Sequence, residues 1–167
     1  MLVPARQCRP EVGVLLLAAI LLAAGVLVYA LDRGGAAYFL SGWTSAPPPT
    51  DFLGPLGNHL PTFLHTLAFI LITAAVLRPW PQLLLPICAT WFGIGCLFEL
   101  GQMAPFANHI AALVPTWFDG VPVLEITSDY FIRGTFDTLD VVSIALGATI
   151  AYPLVRIFLH RSDQGDR

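Results

Sequence analysis

Four apolar segments divide this chain, and each is long enough to cross a bilayer as a helix. They cover about 12–31, 60–77, 82–102 and 138–158. An α-helix rises about 1.5 Å per residue, so about 20 apolar residues cross the hydrocarbon core of a membrane. The first segment exceeds the roughly 7–15 apolar residues of a signal-peptide core, so we expect it to remain as a transmembrane helix. The pattern predicts an all-α integral membrane bundle of four transmembrane helices.

Two long polar and aromatic stretches, 32–60 and 103–132, separate these segments and form the predicted outer loops. Glycine and proline clusters at 34–35, 47–49 and 54–57 exclude a continuous helix through the first stretch. Its aromatic residues are typical of a segment that lies at the membrane interface. We expect a short interfacial helix in the first part of the second stretch. We also expect a kink near Pro153 in the fourth span.

The composition supports a membrane protein and leaves no room for a separate soluble domain. Of the 167 residues, 56% are hydrophobic and 11% are charged. Soluble domains are about 45–50% apolar and about 25% charged. We therefore interpret 1–167 as a single membrane domain. The three cysteines form neither a disulfide framework nor a metal motif, and nothing in the sequence indicates nucleic-acid binding.

The arginines predict the orientation in the membrane. Four spans place both termini and the turn at Arg78 on one side, which then holds six of the eight basic residues. The other side holds Arg33 and Arg133. Because basic residues accumulate in cytoplasmic segments, we expect cytoplasmic termini, outward-facing long loops and a bacterial plasma (inner) membrane location.

Polar side chains lie near the predicted outer ends of the last three spans. A charge inside the bilayer costs about 2.5–3.5 kcal/mol at the centre, which favours turning these groups inward to pair. Arg133 is the natural partner of Glu99 or Asp137, because a guanidinium grips a carboxylate with two bonds. The predicted polar or ligand-binding cluster is His65, Glu99, Gln102, Arg133, Asp137 and Asp140.

Structural interpretations of the same residues remain open. Asp137 and Asp140 stand where aspartates cap a helix, and His65 has the alternative of an interior hydrogen-bonded histidine. Arg133 has the alternative of a clamp for the carboxylates. A metal-dependent enzyme using His65, Glu99 and the two aspartates is disfavoured, because their spacing matches no recognised motif. We predict no resident metal or cofactor, and binding rather than catalysis.

Several short motifs occur in a characteristic order over about 60–151. They are His65 with Phe69, Glu99-Leu-Gly-Gln102, Arg133, Asp137-Thr-Leu-Asp140 and Gly147-Ala148. This order resembles the VanZ-like membrane protein family. Two features depart from the family pattern: Ile144 stands where an asparagine is usual, and the segment between Gln102 and Arg133 is long.

The resemblance implies a four-helix envelope protein more than it implies a reaction. The founding member of the family is associated with low-level resistance to teicoplanin, and no reaction is established for the family. One hypothesis is an envelope protein whose outer cluster binds a lipid, a glycopeptide or a cell-wall precursor. The alternative is a non-enzymatic accessory subunit of a larger membrane complex. The expected partners are membrane lipids and, under the alternative, other membrane protein subunits.

Overall fold

The computed structural model describes residues 10–33, 53–77, 80–121 and 124–165. This part of the chain is helical and contains no strand, which confirms the all-α prediction. A π-helical turn, Tyr29–Arg33, extends the first helix, and a 3₁₀ turn, Pro81–Leu83, leads into the third. The α-helices are α1 (Pro10–Val28), α2 (Pro55–Leu77), α3 (Leu84–Gly101), α4 (Ala104–Leu113), α5 (Thr127–Arg133) and α6 (Thr138–Gly165).

Four of these helices are long and apolar enough to cross a membrane, so the chain is a multi-pass membrane protein. The spans are Glu11–Asp32, Pro55–Leu77, Pro81–Gly101 and Thr138–Phe158. Three of them agree with the sequence prediction to within a residue at each end. The second begins five residues earlier than predicted, at Pro55.

The two predicted loops have different outcomes. Most of the first loop lies outside the described residues. The helix expected in the first part of the second loop is present as α4, although its position at a membrane interface stays a prediction. A further helix, α5, was not predicted. The last span continues through Pro153 as uninterrupted helix.

The start of α2 is held against the end of α1. Gly54 has a φ of +52°, a conformation that suits glycine. Pro55 is the first residue of α2, a position at which a backbone N–H would have no partner within the helix, so the N–H that proline lacks is not needed. The buried carboxylate of Asp32 accepts a hydrogen bond from the Leu53 N–H at 3.1 Å and packs directly on Gly57. A side chain at Gly57 would collide with that carboxylate. The glycine–proline cluster therefore begins a helix instead of breaking one.

The central helix of the bundle is α2, and α6 packs closely against it. Ile70 and Leu71 on α2 are fully buried, as is Ala151 on α6. A Cβ at Gly147 would lie 2.9 Å from the Phe63 carbonyl oxygen, so only glycine allows the two backbones to approach this closely. Small residues at such contacts are typical of helices that associate within a membrane.

The third span, α3, packs on α6 through Gly95. A Cβ at Gly95 would lie 2.9 Å from Cγ2 of Ile144, which is buried. A Cβ at Gly93 would have no described atom of another element within 4 Å. Of these two glycines of α3, Gly95 therefore makes the close approach to a neighbouring helix.

A hydrogen-bonded pair connects α3 to α2 inside the apolar part of the bundle. The Trp91 indole Nε1–H donates to Oγ1 of Thr73 at 2.9 Å. The same hydroxyl donates to the Phe69 carbonyl at 2.8 Å, one turn earlier on α2. Each donor is thereby satisfied where no water is present, as the bilayer interior requires.

Candidate functional site

The polar side chains gather at one end of the bundle, where α1 and α3 finish and α2 and α6 begin. We call this the site end. Two groups are present there: an aromatic cavity that contains Glu99, and a surface cluster of His59, Asp137 and Asp140. Of the predicted polar residues, His65 and Glu99 lie in the cavity, whereas Asp137 and Asp140 lie in the surface cluster.

The cavity lies between α1 and α3, with one face of α2 between them, and has a volume of about 440 Å³. Most of its lining is aromatic or aliphatic, and the polar groups are few. Such a surface suits a largely apolar ligand that a small number of polar groups orient. The lining residues are Tyr29, Thr62, His65, Thr66, Phe69, Trp91, Ile94, Gly95, Phe98, Glu99, Tyr130 and Ile144.

Glu99 is the buried carboxyl group of this cavity. The residue is only 6% exposed, and its Oε2 atom has no hydrogen-bond partner among the described residues. The charges of Asp140, Asp137 and His59 and the backbone of Asp137 act on this carboxyl group. A buried acceptor without a donor costs about 1–3 kcal/mol, so it marks a place where a ligand group would be stabilised.

His65 lies in a row of stacked rings along one side of the cavity. Its ring centroid is 6.4 Å from that of Tyr29 and 6.1 Å from that of Phe69, which itself stacks on Trp91 at 4.9 Å. Because α2 begins at Pro55, His65 lies roughly 15 Å along the helix from its start. It is therefore deeper than the outer end of the span, where the sequence predicted it, and it shares the cavity with Glu99 instead of meeting the aspartates.

His59, which the sequence analysis missed, takes the place expected for His65. Its Nδ1 lies 3.1 Å from Oδ1 of Asp140, and its Nε2 lies 3.9 Å from Oδ2 of Asp137. Asp137 is also a helix cap, because its Oδ1 accepts the Leu139 N–H at 2.8 Å. The available signal was a histidine one turn after Pro55, a residue suited to a first helical turn.

Arg133 points away from the predicted cluster. Its Nη2 lies 3.3 Å from Oδ2 of Asp129, one turn earlier on α5, and its side chain is 66% exposed. The predicted ion pair with Glu99 or Asp137 is absent among the described residues. The cause is the helix α5, which brings Asp129 to the same face as Arg133.

Gln102 does not line the cavity but hydrogen-bonds to a residue that does. Its Nε2 donates to the Tyr130 hydroxyl at 2.8 Å, and Tyr130 in turn lines the cavity. Burial raises the pKa of the Tyr130 phenol well above its ordinary value, and the nearby Glu99 carboxyl adds to the rise. The phenol therefore keeps its proton at neutral pH and remains a hydrogen-bond donor.

The site thus combines apolar and aromatic walls, one carboxyl group with an unused acceptor, and a neighbouring imidazole. This chemistry is that of a binding pocket for a ligand with an apolar body and a hydrogen-bond-donating or cationic head. No family model matches this chain, and no curated protein or solved structure matches it.

Proposed function

We propose that this chain is a VanZ-like membrane protein of the bacterial inner membrane that binds an envelope amphiphile in the Glu99 cavity. The observation that carries the proposal is the unpartnered Oε2 of Glu99, buried in a cavity of about 440 Å³ with mainly aromatic walls. The ligand class comprises lipids, glycopeptides and cell-wall precursors.

The chemistry of the cavity favours a head group that donates hydrogen bonds. The Glu99 oxygen can only accept when the carboxyl group is ionised, so an ammonium or hydroxyl group satisfies it. The carboxylates of Asp137 and Asp140 make the surroundings more negative, which favours a positive head. Aromatic faces such as that of Trp91 also attract cations.

The rim of the cavity allows a ligand to enter from the membrane. Phe69 and Phe98 line the cavity while remaining 37% and 47% exposed. Both belong to membrane spans, so their exposed surface faces lipid when the chain is embedded. An amphiphile can therefore reach Glu99 without leaving the bilayer.

The arginine distribution supports a role in the envelope. Six of the eight basic residues fall on the side of the termini, opposite the site end. This bias favours cytoplasmic termini and a cavity near the outer surface. Lipids and cell-wall precursors in the outer leaflet would then have access to it.

Lipid retention in nanodiscs tests the proposal. The purified full chain is placed in nanodiscs of equal parts phosphatidylethanolamine, which carries an ammonium group, and phosphatidylglycerol, which does not. Native mass spectrometry should show preferential retention of phosphatidylethanolamine, reduced at least tenfold in Glu99→Met. The matched control is Glu125→Met, which changes an exposed carboxyl group and should retain lipid normally. Retention that survives Glu99→Met would overturn the proposal, and equal retention of both lipids would overturn the preference for a positive head group.

One observation favours the accessory-subunit alternative. The α3 span is the least buried of the four, with 17% of its residues buried, and a Cβ at Gly93 would have no described atom of another element within 4 Å. A partner helix could pack closely on this face. Extraction in mild detergent followed by native mass analysis decides between the two: a stable assembly with other subunits supports the alternative, and a lone monomer counts against it.

A further inference from the structure

We propose that His59, Asp137 and Asp140 form a binding site for a divalent transition-metal ion of the Zn²⁺ or Mn²⁺ type. Each residue offers one ligand atom, and all three atoms lie within 4.8 Å of one another. These residues do not line the Glu99 cavity, so the metal site and the proposed lipid site lie in different places. It also revises the expectation from the sequence, which considered His65 as the imidazole ligand and predicted no metal.

The spacing of the His59–Asp140 pair matches that of two ligands of one ion. Nδ1 of His59 lies 3.1 Å from Oδ1 of Asp140. Two ligands at about 2.0–2.1 Å from a metal, in tetrahedral or octahedral geometry, are about 2.8–3.4 Å apart. This pair therefore needs little movement to share an ion.

Asp137 can complete the set with its second oxygen. Its Oδ1 is occupied by the Leu139 N–H at 2.8 Å, which holds the carboxylate at the start of α6. Its Oδ2 lies 3.9 Å from Nε2 of His59, and the side chain is 44% exposed. Rotation of this side chain, which has solvent on one side, would bring Oδ2 to an ion held by the other two residues.

The charge at this corner of the bundle also points to a cation. The buried Glu99 carboxyl, with its unpartnered Oε2, lies within electrostatic range of Asp137 and Asp140. Three carboxyl groups therefore meet here. Among the described residues, His59 is the only basic side chain in contact with the two aspartates, because Arg133 pairs with Asp129. A divalent ion would supply the missing positive charge.

The ligand types select the class of ion. One imidazole with carboxylates suits Zn²⁺ and Mn²⁺, whereas Ca²⁺ and Mg²⁺ prefer oxygen ligands alone. The competing interpretation is a protonated His59 that bridges the two aspartates without a metal. The two interpretations differ in a direct titration, because only the first predicts metal binding.

Calorimetric titration with ZnCl₂ tests the site on the full chain, purified in detergent and stripped with a chelator. We expect one ion per chain, bound at least tenfold more weakly by His59→Ala and by Asp140→Asn. The matched control is His109→Ala, which removes an exposed histidine that bonds only to the Pro105 carbonyl in its own helix. Absence of binding, or affinity unchanged in both cluster variants, would overturn the proposal.

A second measurement applies where the cluster variants fail to fold. Pulsed electron paramagnetic resonance of the Mn²⁺-loaded His109→Ala protein should detect one directly bound imidazole nitrogen. A spectrum without nitrogen coupling would overturn the site. Neither result decides the lipid proposal, which depends on Glu99 and the cavity.

Discussion

Replacement of Glu99 by methionine should stabilise the folded protein while removing its affinity for ligand. The buried Oε2 has no donor, and such an atom costs about 1–3 kcal/mol. Methionine has a similar length, packs well against aromatic rings and leaves no polar atom to satisfy. The substitution also loses the favourable interaction of the carboxyl group with the Asp137 backbone, for which we allow about 1 kcal/mol. The net expectation is a gain of about 0–2 kcal/mol.

The gain is measurable as a shift in the unfolding temperature. For a protein of this size, 1 kcal/mol corresponds to about 2–4 °C. Thermal unfolding in detergent, followed by tryptophan fluorescence, should place Glu99→Met level with the wild type or several degrees above it. Glu125→Met serves as the control, because exposed substitutions usually change stability by about 0.5 kcal/mol or less.

A clear loss of stability would refute this reasoning. If Glu99→Met unfolds several degrees below the wild type, or no longer accumulates in the membrane, the carboxyl group stabilises the bundle and is not held for a ligand. Glu99 would then be part of a purely structural polar cluster, the interpretation that the sequence left open.

Two further predictions concern the packing of α3 and the buried phenol. Gly95→Ala should destabilise the protein by about 1–3 kcal/mol, because its Cβ would lie 2.9 Å from the buried Ile144, whereas Gly93→Ala should stabilise it by about 0.5–1 kcal/mol in open space. Thermal unfolding of both variants checks this, and changes of the same sign would contradict the observed packing. The raised pKa of Tyr130 means that the unfolded chain loses the phenolic proton first, so stability should fall as the pH rises above about 10. Unfolding temperatures measured up to and beyond that pH should fall less steeply for Tyr130→Phe, and an identical profile would count against the buried environment.

The four spans could be predicted because the bilayer fixes the length of an apolar segment. The start of α2 could not, since the sequence at Gly54 and Pro55 is equally typical of a loop and of a first helical turn. What decides between them is the contact between Asp32 and Gly57, which joins residues from two different helices. Because the predicted span began five residues too late, the sequence analysis placed His65 near its outer end, where the structure has His59.

The helix α5 depends on tertiary contacts in the same way. It has seven residues, too few to be stable alone. Its buried Phe131 stacks on Phe98 and fits over Gly101, where a Cβ would lie 2.8 Å from the ring. Local sequence does not contain this information. Because the sequence analysis did not predict α5, it could not predict the pairing of Arg133 with Asp129 one turn apart on that helix.

Glu99 was predictable because a carboxyl group inside an apolar span is rarely there by chance. Its surroundings were not, since the cavity is built from side chains of five separate elements. The polar character of the site end follows from the sequence, whereas the division into an aromatic cavity and a surface cluster follows from packing.

The hydrogen bond between Trp91 and Thr73 has a consequence at some distance from the site. Apolar side chains are nearly interchangeable in such contacts. Two apolar helices can therefore shift along each other by one turn, about 5.4 Å, at little cost in free energy. A slip of that size would leave the indole N–H of Trp91 without an acceptor in a dry environment. This directional bond therefore fixes the alignment of α3 along α2, and with it the level at which Glu99 on α3 and His65 on α2 line the same cavity.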